Sequence, residues 1–427
     1  MRGRPAKHKK LLEDPEVRRW YDQLAIDSIN TANERLRELG RVCEWWNTTP
    51  SKLAALAKDM NGGRRAVEDM LMALMTQLAK RSPSTGRRTS PGYRKNLVKA
   101  VKSWLLHNDV ALVRKIRVGD DGETPTIENE RIPTRKELHS AFQAASDRGK
   151  VMVALCAFSG LRPEVLGMQI SEDEMDGLRI RDIEGLKVDG GRVTFPIIPA
   201  MITVRRQLSK IKKRYRTFIG PQGCGCIKAY LERRMAKGEV LTPDSPVVRV
   251  GFDREKGGRP VGGVVYGSPF LTTSAIRSEI RAALRTQNPA DGARQFRPYV
   301  LRSYADTSLE IAEREGKITP DDRKLFMGRR GDVDRIYTTG KGILPPEVIE
   351  GMRKEYAACA PYLETVAPPS GISVTSEQDQ RVDELLERIN RLERAVERAA
   401  VGKLEELGAH TAAEELRQLG EAGSRRR

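Results

Sequence analysis

The chain has 427 residues, enough for two or three domains at roughly 100–200 residues each. Lys and Arg number 76 against 58 Asp and Glu, giving a net charge of +18 and a pI of about 9.8. That balance points to an anionic partner, nucleic acid before membrane surface. No run of about 18 apolar residues occurs, and the start "MRGRPAKHKKLLEDPEV" lacks the apolar centre of a signal peptide. A soluble, cytoplasmic, nucleoid-associated protein with no membrane partner is therefore expected.

Histidine and cysteine usage exclude more. The four histidines are His8, His107, His139 and His410, so 140–409 contains none. Chemistry in that span has no imidazole as base or ligand and must run on Arg, Lys, Tyr and carboxylates. Of the five cysteines only Cys224 and Cys226 are close, and a C-x-C without a nearby histidine is poor zinc spacing. Reduced structural thiols are expected, with no metal and no cofactor.

In chain order, 1–14 reads as a basic tail. Its "RGRP" resembles the core of an AT-hook, which enters narrow minor grooves; a solvated terminus is the plainer alternative. The segment 15–117 reads as an all-α unit. Ile29, Leu36, Leu39, Cys43 and Trp46 recur at helical spacing behind Ser28 as N-cap, and Thr49-Pro50 opens another helix. Further helices fit "RRAVEDMLMALMTQLAK" and "YRKNLVKAVKSWLLHN". Residues 81–117 hold ten Lys/Arg and a single acid, Asp109. A solvated face is the usual reading of a charge run, but such one-sidedness among Ser, Thr and Gly favours phosphate contact. Arg87, Arg88, Arg94, Lys95, Lys99 and Lys102 are the candidates.

The polar stretch 118–134 reads as a linker ending at Thr134, an N-cap. Residues 135–366 form the larger unit, α+β with helices around a small antiparallel sheet. "VMVALCAFSGLRPEVLGMQ" is an apolar helix ended by Gly160, with Arg162 just beyond. Strands follow, with a "VDGGR" turn and a β-rich "VTFPIIP". Residues 205–216, "RRQLSKIKKRYR", carry seven bases and no acid between "MITV" and "YRTFI", the mark of a basic hairpin tip. Helices are expected at 225–237, 272–286, 299–315, 321–328 and 346–358. In 371–420, Val382, Leu385, Ile389, Leu392, Val396 and Ala399 are spaced as a short heptad seam, read as a C-terminal helix or coiled coil. The fold class expected is thus mainly α: an all-α N-terminal domain, an α+β domain and a helical tail.

Three arginines each follow closely on a structural element: Arg162, Arg302 in "YVLRSYADTSL", and Arg329 beside Gly328. Planar guanidinium forks suit paired phosphate oxygens and stay charged. A phosphoryl transfer without metal needs such a clamp, a nucleophile, and an acid for the leaving oxygen. Tyr337 and the hairpin lysines supply the last two. No carboxylate cluster suggests a two-metal nuclease.

The blocks "FSGLRPEVLG", "SKIKKRYRTF", "YVLRSYADT" and "MGRRGDVDRIYTT" resemble, in order and spacing, the four signature blocks of tyrosine recombinases, the phage-integrase family. The resemblance covers about 145–345 in detail, and the preceding all-α unit fits that family's core-binding domain. It implies a metal- and ATP-independent enzyme that cuts and rejoins duplex DNA, working as a tetramer on paired recombination sites. Arg162 and Arg302 would be the two main catalytic arginines, and Tyr337 the nucleophile forming a 3′-phosphotyrosine bond. Lys210 would protonate the leaving 5′ oxygen, with Lys212 and Lys213 as alternatives; Lys212, Lys213 and Arg214 would also contact DNA. Where the family usually has histidine or tryptophan, this chain has Tyr299 and Arg329, which resembles the variant pattern of integrases from archaeal viruses. The first block also departs: Glu164 and Val165 stand where a Ser-Glu pair is commoner. Arg329 would bind a phosphate oxygen; Tyr299 would orient Tyr337 or accept its proton, weakly for a phenol with a pKa near 10. Two rival readings remain: a type IB topoisomerase-like DNA-relaxing enzyme, and a DNA-binding protein of the same fold without activity.

Overall fold

The computed structural model describes residues 8–80, 89–119, 131–251, 268–285, 296–329 and 344–366. The heptad-spaced tail, Tyr337, Arg87 and Arg88 lie outside the described residues.

The first helices are set by their caps. The Asp14 carboxylate accepts from the backbone N–H of Glu16 and opens α1 (Pro15–Asp27). Ser28 accepts from Thr31 N–H and opens α2 (Ile29–Trp45); Thr49 accepts from Lys52 N–H ahead of Pro50 and opens α3 (Pro50–Lys58). Each side-chain oxygen satisfies a donor that the first helical turn leaves unpaired. Trp46 ends α2 as its C-cap instead of extending the buried stripe. Two more helices, α4 (Gly63–Ala79) and α5 (Pro91–His107), complete this part. Their apolar faces close a core around Trp20, Leu39, Leu71, Leu97 and Trp104. The two indoles meet edge to face at 5.6 Å, and Trp104 Nε1 donates to Pro50 O at 2.9 Å, so the buried polar atom is satisfied.

A second hydrophobic cluster runs from Leu138 to Leu363. Thr134 and Glu137 form a reciprocal capping box at the start of α6 (Arg135–Ala144). Next comes α7 (Asp147–Ala157), whose residues Val151 to Ala157 are all buried, and the four-residue α8 (Pro163–Leu166). A helix apolar on all sides belongs in the middle of a layer. Accordingly α7 packs against both α9 (Pro221–Ala236) and α11 (Val300–Arg314), and α11 packs in turn on α13 (Pro346–Leu363). Between α9 and α11 lies α10 (Thr273–Arg285), and α12 (Pro320–Phe326) follows α11.

The described strands form three separate antiparallel pairs: β1 (Met168–Gln169) with β2 (Met175–Asp176), β3 (Lys187–Asp189) with β4 (Arg192–Thr194), and β5 (Ala200–Val204) with β6 (Tyr215–Ile219). The "VDGGR" turn joins β3 to β4. Contrary to expectation, "VTFPIIP" is strand only as far as Thr194, because Pro196 and Pro199 cannot donate to a ladder. Two helices outrun their expected bounds. Helix α9 begins at Pro221, not 225, with proline in the first turn and the Glu364 carboxylate accepting from Gln222 N–H at 3.0 Å. Helix α13 continues past 358 to Leu363, whose carbonyl accepts from the Tyr304 hydroxyl at 3.1 Å.

Candidate phosphate and nucleic-acid interface

The β5–β6 hairpin is in register from Ala200–Ile219 to Val204–Tyr215, leaving the basic stretch 205–214 as its tip. Arg205 fixes the base of the tip. Its Nε donates to both oxygens of Asp182 at 3.1 and 3.0 Å, and Nη1 and Nη2 donate to Asp176 at 2.6 and 2.9 Å. Burial opposes ionisation of Asp176, but Arg205 and the Gly177 N–H outweigh it and hold the carboxyl below its ordinary value. Arg216 is also buried, so two of the seven bases serve the hairpin itself. Lys210, Lys212, Lys213 and Arg214 are exposed. A bond from Lys212 N–H to Ser209 O at 3.0 Å closes a turn with Lys210 in its second position. Lys212 takes a left-handed φ of 54°.

The arginines come together from segments far apart in sequence. After α7, Gly160 turns the chain with φ 61° and presents its carbonyl inward. Arg162, half-buried, caps α8 in an extended conformation, with Pro163 as the first helical residue. Arg302 is 3% exposed on α11, and its Nη1 and Nη2 donate to Gly160 O and Met327 O. That guanidinium therefore ties the end of α7 to the end of α12. Burial first, and then the Arg162 charge, push Arg302 below its ordinary pKa; Arg329 acts the same way, while Tyr215 and Tyr299 oppose it. An arginine in a protein nonetheless stays protonated, so this is a cluster of like charges that an anion would relieve.

Arg329 follows Gly328, whose φ of 56° ends α12, and its N–H donates to Lys324 O at 2.8 Å. Its side chain is 48% exposed and paired with Asp306 of α11 at 2.5 Å. Tyr299 is the N-cap of α11, 50% exposed, and its carbonyl accepts from Arg302 N–H at 3.1 Å. Thus Arg162, Arg302, Arg329 and Tyr299 share one electrostatic neighbourhood.

On α5 the basic residues part ways. Lys95 and Lys99 are exposed and Lys102 is half-buried, at the i, i+4, i+7 spacing of one helix face. Arg94 departs from its expected outward role. It is 6% exposed, with Nε donating to Val118 O at 2.9 Å and Nη1 to Thr89 O at 2.9 Å. It braces chain segments on either side of the helix instead of facing a ligand.

Sequence reasoning missed four participants. Asp306 carries no signal beyond an acid one helical turn after Arg302. Asp176 and Asp182 look like ordinary loop acids. Tyr215 could have been found, since it is the aromatic residue inside the basic run. Among the described residues no His, Cys, Asp and Glu group is placed to hold a metal ion. None of the described helices is long and apolar enough to cross a membrane. The five cysteines are unpaired, and burial pushes the Cys226 thiol up to about 11.

No protein-family model and no curated protein matches the chain. Among solved structures it is similar to XerA recombinase, at 17% identity over 80% of this chain and 97% of that one, with a TM-score of 0.31. It is also similar to the integrase from mycobacterium phage Brujita, at 14% identity over 87% and 96%, with a TM-score of 0.35. A third likeness is to XerH site-specific recombinase bound to difH substrate in a pre-cleavage complex, at 15% identity over 76% and 78%, with a TM-score of 0.39. At such scores these likenesses assign no role to any residue.

Proposed function

We propose that the chain is a site-specific DNA recombinase of the tyrosine-nucleophile kind, with a variant active site of the archaeal-virus integrase type. The supporting observation is the meeting of Arg162, Arg302 and Arg329, drawn from three distant segments into one cationic cluster. In this reading Arg162, Arg302 and Arg329 hold the non-bridging oxygens of the scissile phosphate and stabilise the charge that grows in the transition state. The Tyr337 hydroxyl loses its proton to solvent as its oxygen attacks phosphorus; the bond to the 5′ oxygen breaks, and Lys210 on the hairpin gives that oxygen its proton. The 3′-phosphotyrosine formed conserves the phosphodiester energy, so a second 5′ hydroxyl reverses the step on a new strand without ATP or metal. Tyr299, at the mouth of the cluster, orients the nucleophile.

The two separate hydrophobic clusters support a division into a core-binding domain at 15–117 and a catalytic domain at 135–366, joined by 118–134. Lys95, Lys99 and Lys102 then give the first domain its phosphate-contacting face, and Lys212, Lys213 and Arg214 do so for the second. Strand exchange between paired sites calls for four protomers, with 371–420 as the self-associating tail. The test is a nicked suicide duplex carrying candidate sites. Wild-type protein should form a covalent adduct that Tyr337→Phe lacks. Absence of any adduct with intact protein on sites flanking its gene would refute the proposal.

A further inference from the structure

Resting on the phosphate-cluster reading above, the geometry points to Tyr215 as an additional phosphate ligand, its hydroxyl donating a hydrogen bond to the anion held by Arg162 and Arg302. Tyr215 is the first residue of β6, paired with Val204 at the tip end of the hairpin. Its side chain turns inward and the residue is 8% exposed. Yet its proton finds no acceptor among the described residues. The Arg302 guanidinium lies against it and, having donors only, engages the phenol oxygen as an acceptor, which leaves the phenol's own proton without an acceptor. Burial raises the phenol pKa, while the Arg302 and Arg162 charges pull it down, so the group stays a protonated donor.

A buried hydroxyl whose proton has no acceptor costs stability, and proteins rarely keep one. Here it faces the like charges of Arg162 and Arg302, which repel each other. One ligand would resolve both defects: a tetrahedral phosphate offers acceptor oxygens to the two guanidiniums and to the phenol together. The ring is held in place from the other side by Gly328. A Cβ there would come within 2.5 Å of Tyr215 Cε2, so the glycine after Met327 lets the ring sit over the cluster. In a site without imidazole, the phenol supplies a neutral donor beside the arginines.

The experiment uses the full chain and Tyr215→Phe, which keeps the ring and removes only the hydroxyl. Because its proton has no acceptor in the free protein, the variant should melt close to the wild-type temperature; a purely structural role predicts a clearly lower one. Inorganic phosphate is titrated calorimetrically into wild type, Tyr215→Phe, Arg162→Ala and the double variant. The expected result is binding weakened several-fold by Tyr215→Phe, with no further loss from that change once Arg162 is gone. On the suicide duplex, adduct formation by Tyr215→Phe should slow on the order of a hundred-fold at unchanged duplex affinity. With a neutral methylphosphonate at the scissile position the penalty should shrink. Phosphate affinity equal to wild type, or an unchanged adduct rate where wild type reacts, overturns the assignment. If wild type forms no adduct but the phosphate cycle behaves as stated, the recombinase reading fails and this one stands.

Discussion

Glu364 provides a quantitative test of how the larger unit is held together. It is buried at the end of α13 with its carboxylate aimed at the N-terminus of α9, accepting from Gln222 N–H at 3.0 Å. Burial raises its pKa from 4.5 to about 7, against the opposing pull of the Gln222 and Gly223 N–H groups and of Arg135. The native state therefore binds this proton more tightly than the unfolded chain. Its contribution is fully present below pH 4.5, falls as pH rises towards 7, and is gone above that. At about 1.36 kcal/mol per pKa step the span is about 3 kcal/mol. Glu364→Gln is neutral at every pH and keeps an oxygen for the Gln222 N–H. Urea unfolding of wild type and Glu364→Gln at pH 5 and pH 8 measures the difference. The variant should gain on wild type by about 2.5 kcal/mol between those two values. Parallel pH profiles would show that Glu364 is not protonated on folding, and the burial argument would be wrong.

Three other outcomes are expected. Gly328→Ala places a Cβ 2.5 Å from the Tyr215 ring at a φ of 56°, so a loss of about 2 kcal/mol or more in denaturant unfolding should accompany a fall in adduct rate. Arg94→Ala should destabilise the first core by about 3 kcal/mol, since backbone carbonyls lose a charged donor; a pure DNA-affinity defect at unchanged melting temperature would contradict this. Lys95→Ala with Lys99→Ala should weaken binding to all DNA sequences alike. The same pair should reduce the salt-dependence slope by about 0.9 for each phosphate no longer neutralised, measured by fluorescence anisotropy across salt concentrations.

Much of this protein was legible from local signals. Ser28, Thr49 and Thr134 cap their helices because capping depends on a side chain and a backbone donor within three residues. The basic hairpin follows from a run of bases between two β-prone segments, and Arg162, Arg302 and Arg329 stood out by their places after element ends. What the residues could not disclose is which charges turn inward. Arg94 and Lys95 are neighbours in one basic run, yet one is buried on carbonyls and the other exposed. Helix phase against a core decides between them, and that core is assembled from four other helices. Likewise Arg205 and Arg216 fall within the same run as Lys210, but the acids at 176 and 182 claim Arg205, and Arg216 lies on β6, which is buried along its whole length. Sequence by itself determined the order of elements, the strong positive charge and the lack of imidazole from 140 to 409. Only the tertiary structure decided which guanidiniums share a site, that Asp306 holds Arg329, and that the Tyr215 hydroxyl faces the cluster with no acceptor for its proton. Those are matters of distance between separate elements, fixed by packing and not by any local pattern.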